Sequence, residues 1–175
     1  MFRRLDICIV LFLLLNACYW VILNALNTIV APYVYFVLPA VFIVPVAMYM
    51  NFSSMVVVIL ITAFAVASAT PANSFFMAIV WLMTAFIVNS WRFKFRALDL
   101  FSSITLMQIV NLFVIIFYAF AMPIGTDTFF EYVKRLACDT AFSGVLLCLC
   151  SGLCLSVPVS IMSFFGLDIT MNEDI

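Results

Sequence analysis

Apolar runs of membrane-crossing length fill this chain, and its few charges stand at the ends of those runs rather than at their centres. No other feature constrains the fold as much. Soluble domains carry roughly 25% charged residues; here the figure is 9%, against 69% hydrophobic. A soluble fold of 175 residues could not bury so much apolar surface, so lipid must be the solvent for most of it. A spanning helix takes about 20 apolar residues, and about six spans with short connections use nearly the whole chain. The expected fold is all-α, with about six transmembrane helices in one bundle and residues 1–175 forming a single polytopic membrane domain.

Turn residues divide the runs. The first span covers about 7–26 and ends at Asn27 and Thr28. Pro32 opens a second over about 33–50, with Pro39 and Pro45 inside it. After a turn at 51–54, the third covers about 55–69. Its Ala63, Ala65, Ala67 and Ala69 form small-residue pairs on two faces, which points to a central, closely packed helix. Thr70-Pro71-Ala72-Asn73 leads into the fourth, about 74–90, and the fifth covers about 100–122. The last stretch, about 136–165, is longer than one crossing and contains Gly144, Gly152 and Pro158, so tilt or a kink is expected. Thr128 and Glu131 have capping-box spacing. A helix starting there either lies on the membrane surface or extends the last span outward.

Lysine and arginine near span ends set orientation. Arg3 and Arg4 flank the first span, and Arg92, Lys94 and Arg96 form a basic loop between the fourth and fifth. An even number of crossings separates the two clusters, so both face the cytoplasm and both termini are cytoplasmic. Lys134 and Arg135 then lie outside, among Asp127, Glu131 and Asp139.

Little here can carry chemistry. There is no histidine, which removes the commonest acid–base catalyst and metal ligand. No charge sits mid-span, and Asp99 and Asp139, at span ends, have no obvious buried partner; a proton-coupled pump is disfavoured. Cys8, Cys18, Cys138, Cys148, Cys150 and Cys154 lie in or beside apolar runs and read as small buried hydrophobes. Leu15-Asn16-Ala17-Cys18 resembles a lipoprotein cleavage box, but the run continues apolar through Tyr19 to Leu23, so an uncleaved first helix is expected. The net charge of −1, with no long basic run, gives no surface for nucleic acid. The chain is expected to be no enzyme and to hold no metal or redox cofactor.

Polar residues inside the spans are better placed. At about 100° per residue, Asn16, Trp20, Asn24 and Asn27 fill an arc of about 80° on the first span, and Thr105, Gln108 and Asn111 one of about 120° on the fifth. Amides facing lipid are costly, so both stripes should face protein. They either bond helix to helix within the bundle or form a docking groove for a partner helix or a small ligand.

The layout resembles the rod-shape-determining MreD family of bacterial inner-membrane proteins. The resemblance covers most of the chain. Pro32 and Leu38-Pro39 are similar to the proline-led second helix of that family. The small residues ending the third span, with Thr70-Pro71-Ala72-Asn73, are similar to its helix end and turn. The Trp91 to Arg96 segment resembles its basic loop, and Pro158 falls where its last helix usually has a proline. Tyr33 stands where the family often has an acidic residue, and Ala67, Ser68 and Ala69 stand near its usual aspartate. The resemblance implies a non-catalytic scaffold of the peptidoglycan elongation complex, in which such proteins couple MreB filaments to cell-wall synthesis. It implies membrane lipid and a single-span MreC-like protein as partners, with cell-wall synthases as further candidates. The family's helix arrangement is also similar to the substrate-binding subunits of energy-coupling-factor transporters, which gives the alternative: a subunit binding a vitamin or other small molecule. Those subunits usually carry an Ala-x-x-x-Ala motif in the first helix; here Val21 follows Ala17 at that spacing, which favours the scaffold.

Overall fold

The computed structural model describes the backbone of residues 2–30, 33–68, 73–95, 100–121 and 129–166, and the side chains of 7–30, 33–68, 73–92, 101–120 and 130–166. The described residues form helices and no strand: α1 (Phe2–Val30), α2 (Pro39–Tyr49), α3 (Phe52–Ala67), α4 (Ser74–Phe95), α5 (Leu100–Ala121) and α6 (Phe129–Phe164). Four of them, α1, α4, α5 and α6, are long and apolar enough to cross a membrane. This is the build of an all-helical membrane protein.

The centre of the bundle is α2, which touches every other helix. Each residue from Pro39 to Met48 is buried, as expected of a helix that is apolar all round. The sequence reading placed the start of this helix near residue 33 and the close-packed centre at α3; both are corrected. Pro39 has no N–H and disfavours a helical conformation in the residue before it. Leu38 accordingly lies outside the helix at φ −125° and ψ 54°, and Pro39 opens α2. The segment 34–38 is non-helical. In α3, Ala63 and Ala67 are buried, but Ala65, Ile61 and Phe64 are exposed, so the helix has one packed face and one free face.

The helix ends follow from local chemistry. Asn73 precedes α4, and its Oδ1 accepts the N–H groups of Phe75 at 3.0 Å and Phe76 at 3.4 Å, satisfying donors that the first turn leaves orphaned. The C-terminal end of α2 is met by α4: Asn89 Nδ2 donates to Ala47 O at 2.9 Å, and Arg92 Nη1 donates to Met50 O at 3.2 Å. Arg92, expected in a loop, therefore belongs to α4 and binds the α2 terminus. Lys94 lies on the last turn of α4, its side chain outside the described residues, as is the whole of Arg96. The other sequence boundaries differ by a few residues, except at α6. It is one continuous helix of 36 residues from Phe129, about 54 Å long, so the segment before residue 136 extends the last span. Thr128, Asp99, Arg3 and Arg4 fall where no side chain is described.

Candidate functional site

Extended backbone in an apolar interior needs a partner for each N–H and C=O. Between α1 and α2, residues 33 and 34 find theirs in the end of α1, and residues 35–37 find theirs in side chains. Tyr33 and Val34 donate to Val30 O at 2.9 and 3.1 Å, continuing from the α1 end. Asn27 then holds both backbone groups of Phe36: its Oδ1 accepts the Phe36 N–H at 2.7 Å and its Nδ2 donates to Phe36 O at 3.0 Å. One carboxamide here substitutes for a neighbouring strand.

The opposite edge is held by α6. Tyr35 N–H donates to Asp139 Oδ1 at 2.9 Å and Val37 N–H to Ser143 Oγ at 2.9 Å. The match is geometric. Alternate N–H groups of an extended chain point the same way and repeat every ~6.6 Å. Side chains four apart on a helix share a face and repeat every ~6 Å. Asp139 and Ser143 are four apart, so a single helix face reads two successive rungs. Asn111 Nδ2 of α5 donates to Val37 O at 3.3 Å. Every N–H from Tyr33 to Val37 is thus paired. Asp139 is only 8% exposed, and Arg135 Nε lies 3.8 Å from its Oδ2. The expectation that this carboxylate lacks a buried partner is corrected: its main partner is a backbone N–H from 104 residues away.

Beside the braced segment lies a cavity of about 280 Å³. Trp20, Asn24 and Asn27 of α1 form one wall, Trp81 of α4 and Tyr118 of α5 another, and Tyr132, Arg135 and Asp139 of α6 a third. Phe42 of α2 stacks on Trp81 with ring centroids 5.8 Å apart and planes 19° apart. Trp81 Nε1 donates to the Tyr118 hydroxyl at 3.2 Å, which orients both rings. The Arg135 side chain is 62% exposed and marks the mouth.

The polar stripe of α1 divides its work. Asn16, 3% exposed, donates to Thr62 Oγ1 of α3 at 3.1 Å. Asn27 braces the extended segment. Trp20 and Asn24 line the cavity, and the Asn24 carboxamide makes no hydrogen bond among the described residues. On α5, Gln108 Nε2 donates to Gly144 O at 2.6 Å and to Cys148 Sγ at 3.0 Å on α6. Thr105 is exposed and bonds Phe101 O of its own helix at 2.9 Å. Sequence reasoning passed over Asp139 with Ser143, Trp81 and Tyr118. The four-residue spacing of two polar groups in α6 was a usable signal. The two aromatic residues gave none, because nothing separates them from other apolar positions.

No family model, curated protein or solved structure matches this chain.

Proposed function

We propose that this chain is a non-enzymatic, multi-pass scaffold of the bacterial inner membrane, of the cell-shape type, binding a single-span MreC-like protein through its helix faces. The observation that carries this reading is the outer surface of α1. In an 18-residue apolar stretch of its span, Ile7–Val30, only 11% of residues are buried, against 33–39% in the matching stretches of the other three long helices. Ala17, Cys18, Val21 and Ala25 are all exposed there, and small residues let a second helix approach closely. Meanwhile Asn27, Asn111, Asp139 and Ser143 are occupied with the chain's own backbone, which favours a rigid body over a moving one.

Six crossings agree with the dimensions, and the basic residues Arg3, Arg4, Arg92, Lys94 and Arg96 support cytoplasmic termini. The non-helical residues 34–38 add at most about 16 Å to an α2 of about 16 Å, together matching a hydrocarbon core of about 30 Å. Non-helical backbone at that depth is tolerated where protein buries and pairs it. At 16 residues, α3 spans about 24 Å, within reach of modest bilayer thinning.

Co-purification in mild detergent tests the scaffold reading. The MreC-like partner is expected to come down with the wild-type chain and to be lost with Ala25→Trp, which puts a bulky group on the free face of α1. Undiminished capture by the variant would refute docking on α1. The cavity favours a second reading, a subunit that binds a small molecule; its half-enclosed, mostly apolar lining, aromatic and aliphatic in equal part, with few polar groups has the character of a ligand site.

A further inference from the structure

We propose that the cavity between α1, residues 35–38 and α6 binds a neutral, planar aromatic heterocycle whose edge carries a hydrogen-bond donor beside an acceptor. This rests on the second reading above, that the cavity takes a small molecule at all, and adds the ligand's chemistry. At about 280 Å³ the space lies at the lower end of ligand pockets, which run from about 300 to 1,000 Å³, so the ligand is a small ring system.

Shape comes from the rings. Trp20, Trp81, Tyr118 and Tyr132 reach the cavity from four different helices. Trp81, 1% exposed, is stacked on Phe42 and closes one wall, while the half-buried Trp20 and Tyr132 leave ring surface open to the cavity, where a flat ligand would find the offset stacking aromatic systems prefer. Charge comes from the mouth. Arg135 and Asp139 stand 3.8 Å apart, and Asp139 Oδ1 also accepts the Tyr35 N–H. The two opposite charges cancel over the cavity, so neither a cation nor an anion would recover its desolvation cost there. A neutral ligand carries no such cost.

The edge comes from two uncommitted groups. The Asn24 carboxamide lines the cavity with a donor and an acceptor side by side, neither engaged among the described residues. The Tyr118 hydroxyl accepts from Trp81, which leaves its own proton without an acceptor among the described residues. An alkyl chain from a lipid would bury both groups unpaired, at a cost for each. A lactam or imide edge would pair them.

Two of the three tryptophans line the cavity, and the third, Trp91, lies outside it. A Trp91→Phe background therefore makes tryptophan fluorescence report on Trp20 and Trp81. The full chain in lipid nanodiscs would be titrated with four probes of similar size: quinazoline-2,4-dione, naphthalene, trimethylanilinium and 2-naphthoate. Saturable quenching strongest for quinazoline-2,4-dione is expected. Asn24→Leu should weaken it about tenfold while leaving thermal stability unchanged, since the Asn24 side chain bonds nothing else in the described chain. Tyr118→Phe should weaken it less and serves as the second variant. Naphthalene should bind more weakly and ignore Asn24→Leu. Equal binding of naphthalene and the dione, or preference for either ion, would overturn the ligand class and leave a small-molecule site standing. No saturable quenching by any probe, with a lipid chain found in the cavity, would overturn both this proposal and the reading beneath it.

Discussion

Residues 33–38 and the α3–α4 hairpin meet the same problem, polar groups in an apolar surrounding, and solve it differently. In the hairpin the backbone is satisfied within each helix, and spare hydroxyls turn back on it. Thr62 donates to Val58 O at 2.8 Å, Thr84 to Val80 O at 2.7 Å and Ser90 to Phe86 O at 2.8 Å. For these hydroxyl protons no acceptor beyond four residues away is needed. The extended segment cannot do this. Its N–H and C=O groups are met by Asn27, Asn111, Asp139 and Ser143 from three helices. Leaving the helical conformation thus transfers the demand for polar partners to distant side chains, and those side chains become hard to replace.

The contrast is most directly broken at Asn27. Asn27→Leu leaves both backbone groups of Phe36 unpaired in a partly buried place, and a loss of about 2 kcal/mol or more is expected, read as a lowered midpoint of thermal unfolding in detergent. A loss no larger than that of a helix-internal threonine variant would end the comparison.

Asp139 sharpens it. Asp139→Leu removes the acceptor of the Tyr35 N–H and should cost about 2 kcal/mol. Asp139→Asn keeps an acceptor oxygen and should cost less than about 1 kcal/mol. Equal losses from the two, measured by the same unfolding, would mean that the carboxylate acts through its charge beside Arg135 and not as a backbone brace.

The smallest effect belongs to the hairpin. Thr84 is 3% exposed, and its hydroxyl bonds only its own helix. Thr84→Val keeps the shape and removes that bond, so a change within about 0.5 kcal/mol is expected. A loss comparable to that of Asn27→Leu would show that burial, not backbone pairing, sets the cost.

Much of this was legible from residues alone. Hydropathy is local and adds along the chain, so the apolar runs were enough to name lipid as the solvent, to separate the helices and to place most of their ends within a few residues. The stripe at Asn16, Trp20, Asn24 and Asn27 was enough to say that this face of α1 turns inward, because helical periodicity is also local. Which amide would bond a neighbouring helix, which would brace an extended chain and which would stay open to a cavity was decided only by the tertiary structure. These roles depend on what stands opposite: Thr62 for Asn16, Phe36 for Asn27 and, for Asn24, empty space. Pro39 signals in the sequence that helix is disfavoured before it. That the residues before it can lie outside a helix with their N–H groups paired depends on Asp139 and Ser143, more than 100 residues away, a pairing no local pattern encodes.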